Sequence, residues 1–125
     1  MSAEHELFHA YREWRRLVEA EGLAIQQHNW DLLADCHLAI RDFQDLVPRL
    51  MLAAREEWHR PGSDLAEKEK TVQRFVSELL VLTRRNQNLL QTARTNASQR
   101  LDELGETRRN LKKLHHSYGL ALAVS

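Results

Sequence analysis

The feature that most constrains this chain is the run from Leu65 to Tyr118. Apolar side chains recur there at alternating steps of three and four residues, the spacing of one face of an α-helix. Val72, Phe75, Leu79, Leu82, Asn86, Leu89 and Ala93 make one seam; Ala97, Leu101, Leu104, Arg108, Leu111, His115 and Tyr118 make a second. Between them the steps from Leu89 to Ala93 to Ala97 are four and four, a stutter that locally unwinds a supercoil. The pattern predicts one long helix with a changed register. At ~1.5 Å per residue its 54 residues would span about 80 Å, too long for the core of a compact small domain. The first half of the chain therefore has to supply something for it to pack against.

That half is also helical in pattern. Ser2 stands where an N-cap belongs, with Glu4 and Glu6 in the first turn, favourable to the helix dipole. Leu7, Tyr11, Trp14, Val18 and Ile25 lie on one face with Glu21 in a gap of the stripe, and Leu32, Cys36, Ile40, Phe43, Val47 and Leu50 carry it on. Asn29 can cap a new helix before Trp30 and Asp31, which leaves a turn there open, and Pro48 removes a backbone donor and crowds the preceding turn, so a kink is expected at Pro48. The strongest breaker is Arg60, Pro61, Gly62, Ser63 and Asp64, with Ser63 or Asp64 capping the long helix that starts at Leu65.

Residues 4–59 and 65–118 are 56 and 54 residues long, and the halves carry opposite net charge: seven Lys plus Arg against eleven Asp plus Glu up to Gly62, then eleven against seven. Matched lengths and opposite charge predict an all-α fold, an elongated, coiled-coil-like antiparallel helical hairpin in a single domain of residues 1–125. Arm one would cover 3–59, the hinge 60–64 and arm two 65–118. The first arm is expected to be kinked or split near Asn29 or Pro48, and a three-helix bundle turning at Asn29 is the alternative. Trp14, Trp30, Leu23, Leu38, Val76, Leu80, Val81 and Leu90 widen the stripe beyond what two helices cover, which calls for a third segment, a second copy or a partner.

The chemistry-bearing patterns are sparse. His5, Glu6 and His9 spell HExxH, but Arg12 and Arg15 stand where the extended zinc-peptidase motif has Gly and a third His; no metal and no cofactor are expected. No Gly-rich phosphate loop, nucleophile elbow or convergent carboxylate pair occurs, so no enzyme is expected either. Formal net charge is zero and few aromatics interleave the cations, which disfavours nucleic acid. His115 and His116 adjoin Arg108, Arg109, Lys112 and Lys113, a basic helix end that complements the dipole or docks an acidic partner. Cys36 is the only cysteine, in keeping with a reducing compartment and a seam position. MSAEHEL lacks the apolar run of a signal peptide, and no stretch approaches the ~20 apolar residues of a membrane span. Asn86 holds a seam position usual for Leu, a device that fixes register or meets a bound helix.

From Arg84 onward, RRNQNLLQTARTNASQRLDELGETRRNLKKLHHSYG resembles the C-terminal part of FlgN-type flagellar export chaperones, with Asn-x-Asn-x-Leu-Leu over Asn86 to Leu90 and a closing Tyr118–Gly119. EAEGLAIQQHNWDLLADCHLAIRDFQDLV in the first arm is similar to the family more weakly. The resemblance implies a cytoplasmic chaperone for flagellar type III export that holds the C-terminal amphipathic helix of hook–filament junction subunits. On it, Asn86, Leu90, Ala97, Leu101, Leu104, Leu111, Leu114 and Tyr118 are the partner-binding candidates, Tyr118 also for docking to the export gate. Thr95, Asn96, Ser98, Gln99, Gly105 and Thr107 are poor helix or core residues, which suits a partly exposed strip. The alternative of a different class is a structural coiled-coil spacer or scaffold covered by a homodimer.

Overall fold

A computed structural model describes the backbone of residues 2–124 and the side chains as far as Ser117. Three helices occur in order, α1 (Ala3–Gln26), α2 (Trp30–Trp58) and α3 (Leu65–Val124), and no strand occurs among the described residues. The fold is all-α, as the periodicity requires. The chain divides into two compact units, Met1–Leu90 and Gln91–Ser125.

In the first unit, Ser2 caps α1 by accepting a hydrogen bond from the His5 N–H at 3.1 Å. At its other end the Asn29 N–H donates to Ala24 O (2.9 Å) and the His28 N–H to Ile25 O (3.2 Å), with His28 at φ +55°. That pair of bonds around a left-handed residue is a Schellman closure, in which His28 stands where Gly is usual. Asn29 then caps α2, its Oδ1 accepting from the Leu32 N–H at 3.2 Å. The break in the first arm therefore falls at Asn29, and α2 runs through Pro48. Gly62 (φ +90°) turns the second connection, and Asp64 rather than Ser63 caps α3, accepting from the Glu67 N–H at 3.2 Å.

Within the all-α class, the first arm is split at Asn29, as one of the two expected sites allowed, and the helices take the three-helix form. The first arm doubles back on itself there, so its full length is not laid end to end against α3. The Glu57 carboxylate at the end of α2 accepts from the Ala3 N–H at 2.8 Å, so α1 and α2 are antiparallel, and these two helices make the closest backbone approach. Arg15 meets Glu78 at 2.8 Å, and Lys68 pairs with Glu4, so α3 starts beside the start of α1 and runs parallel to it. Arg55 meets Glu69 at 3.5 Å, which sets α3 antiparallel to α2. Two of these three bridges oppose the net-charge difference between the halves. Six of the eleven cations of the second half lie beyond Leu90, so that difference did not dictate the pairing.

The main core joins Leu7, Tyr11, Val18, Ile40, Val47, Trp58, Val72 and Leu79. Tyr11 stacks on Phe75 with ring centroids 5.1 Å apart, and Phe8 lies 5.6 Å from Phe75 and 6.2 Å from Trp58. A smaller cluster of Ala24, Ile25 and Leu33 at the other end is covered by Leu89 and Leu90.

Candidate partner-binding surface

The two seams of α3 have opposite fates. Every residue of the first, from Val72 to Ala93, is buried or half-buried, whereas every residue of the second from Ala97 to His115 is exposed. The division falls at the stutter, and the first unit ends at Leu90.

Asn86, a partner-binding candidate, is turned inward. It is 2% exposed, and its Nδ2 donates to Val18 O and to Glu21 Oε1, both at 2.7 Å. Its amide hydrogens are therefore consumed within the fold, and the register-fixing role expected of a seam Asn is the one its surroundings support. The other oxygen of Glu21 lies 2.8 Å from His37 Nε2, so α1, α2 and α3 meet through one polar cluster. Asn86 Oδ1 has no hydrogen-bond partner and faces Gly22, where an added Cβ would sit 2.6 Å from it. Leu90 is half-buried against Ala24, Ile25 and Leu33, so much of its surface is already used.

Ala97 is exposed, and Leu101, Leu104, Leu111 and Leu114 are 69%, 64%, 59% and 52% exposed. At about 100° per residue these four leucines sweep an arc of about 140° centred between Leu104 and Leu111, wide enough to seat a helix. The Tyr118 side chain lies outside the described residues.

One feature escaped sequence reasoning: an apolar groove of about 430 Å³ in the first unit, lined by Tyr11, Trp14, Val47, Pro48, Val76 and Leu80 among others. Trp14, Val76 and Leu80 had signalled an over-wide stripe, but their convergence on Pro48 needs the α1–α2 turn. Leu23, Trp30, Leu38 and Val81 remain exposed, so the third helix leaves part of that excess uncovered.

Elsewhere, His5, Glu6 and His9 are exposed on the first turns of α1, and no group of three His, Cys, Asp or Glu among the described residues is placed to hold a metal ion. His115 and His116 are exposed. Cys36 is buried, and burial, then the Glu21 and Asp35 carboxylates, push its thiol pKa up. Burial likewise raises the Tyr11 hydroxyl pKa against a smaller opposing pull from Arg55. Among the described residues no helix is long and apolar enough to cross a membrane. No protein-family model, curated protein or solved structure matches this chain.

Proposed function

We propose that this protein is a helix-holding chaperone, and more narrowly a cytoplasmic chaperone for flagellar type III export that keeps the C-terminal helix of hook–filament junction subunits before secretion. The observation that carries the reading is the exposed stripe of Leu101, Leu104, Leu111 and Leu114. Four exposed leucines on one helical face are what an amphipathic helix docks against. The narrower assignment draws on the resemblance of residues 84–119 to FlgN-type chaperones, and the protein acts by binding rather than catalysis.

The test is a calorimetric titration with the C-terminal helix of a hook–filament junction protein, beside thermal melts. Leu101→Ala combined with Leu104→Ala should weaken binding by about 2 kcal/mol, roughly thirtyfold, with the melting temperature nearly unchanged. Leu79→Ala, at a side chain 7% exposed, should instead cost about 2–5 kcal/mol of stability. A double variant that binds as tightly as wild type, or that fails to fold, sinks the assignment. A tight dimer that resists proteolysis beyond Ala93 would favour a structural spacer.

A further inference from the structure

We infer that the leucine stripe of residues 91–117 is built for an acidic amphipathic helix, one whose apolar seam is flanked by Asp or Glu. The inference rests on the helix-holding reading above and adds the chemistry of what is held. On the helical wheel Arg100 and Arg108 fall inside the arc of the leucines and Lys112 lies at its rim; Glu103, at the other rim, is the one acid there. The opposite face carries Asp102 and Glu106 with Arg109 and Lys113, and is balanced. The positive surplus of this segment is thus concentrated on the face that also presents the leucines.

Arg100, Arg108 and Lys112 are exposed, and among the described residues none of them makes an ion pair, whereas Arg15, Arg55 and Lys68 in the first unit all do. A helix rimmed with Glu could pair with all three; a helix rimmed with Lys would meet like charge. The same charges argue against a second copy. Two stripes brought together parallel in register set Arg108 of one against Arg108 of the other, and antiparallel about the midpoint between Thr107 and Arg108 they leave the two arginines one residue apart along the axis. A lipid surface is the poorer fit, since residues 91–125 include a single aromatic, Tyr118, to anchor at an interface and Glu103 sits on the rim of the stripe.

The test uses the full chain and two labelled synthetic helical peptides, both with Leu at heptad positions a and d, one with Glu and one with Lys at e and g. Exposed ion pairs contribute roughly 1.5- to fivefold each, so by fluorescence anisotropy at low salt the Glu peptide should bind about tenfold tighter than the Lys peptide. The gap should shrink as salt is raised. The triple variant Arg100→Glu, Arg108→Glu, Lys112→Glu should reverse the preference while its circular dichroism and melting stay unchanged. Equal affinities, or a preference the triple variant leaves intact, overturn the charge inference but not the helix-holding reading. Binding of neither peptide by a chain that sediments as a dimer overturns both. Tight binding to phosphatidylglycerol vesicles, with no binding of the Glu peptide, overturns the inference in favour of a lipid surface.

Discussion

Asn86 and Glu21 each break an apolar stripe, and they break it opposite each other. A carboxylate only 8% exposed is tolerable because it accepts from the Asn86 amide and sits beside His37. Removing one partner leaves the other buried without its bond. Asn86→Leu is therefore expected to cost about 2 kcal/mol or more, whereas Glu21→Leu together with Asn86→Leu should cost clearly less than the sum of the two single changes. Urea unfolding of the four chains of that cycle checks it, and additive costs would mean the pair is uncoupled. Cys36, nearby on α2, gives a pH signature. Because the folded thiol has the higher pKa, the unfolded chain releases this proton first as pH rises. The thiol's contribution is present at neutral pH and should decline once pH passes ~8.5, the ordinary thiol value, until the folded thiol ionises too. Cys36→Ala should flatten that alkaline limb, read as the urea midpoint between about pH 7 and pH 9.5. A parallel decline in both chains would contradict it.

At the scale of the element, each boundary has a local cause. Ser2, Asn29 and Asp64 accept the first free N–H groups of their helices, and Gly62 takes the left-handed turn at little cost. His28 is the exception, since a side chain at φ +55° is strained where Gly would not be. His28→Gly is expected to stabilise the protein by about 0.5–1 kcal/mol, less what is lost with the edge-on contact of the His28 ring to Trp30 at 5.6 Å. A higher melting temperature checks this, and a lower one would show that the ring contact outweighs the backbone strain. The α3 helix shows how one continuous element can serve two ends. Before the stutter its seam is buried against α1 and α2; after it the same spacing of leucines is exposed.

For the molecule as a whole, that contrast implies unequal stability along one helix. Residues 7–18 supply Leu7, Ala10, Tyr11 and Val18 to the main core, whereas in 91–117 only Ala93 and Gly105 are even half-buried. A helix held by little besides its own hydrogen bonds opens readily. Amide exchange should therefore be much faster across 91–117 than across 7–18, and a docked helix should slow it selectively in the former. Uniform protection in the free protein would argue that the stripe is already covered in solution.

The helical class, the caps at Ser2 and Asn29, the connection around Gly62 and the two seams of α3 were legible in the sequence, because each rests on spacing or on a side chain's reach to its own backbone. Leu101, Leu104, Leu111 and Leu114 were legible as candidates in the same way. The turn at Asn29 was not decided there: twelve turns of unbroken apolar phase from Leu7 to Leu50 suit a straight arm and a folded one equally. Nor could the sequence say that Asn86 faces Glu21, or that Gly22 leaves room for it. Those depend on α3 lying parallel to α1, a consequence of the first arm doubling back. Periodicity fixes which face of a helix is apolar, but only packing chooses what that face meets.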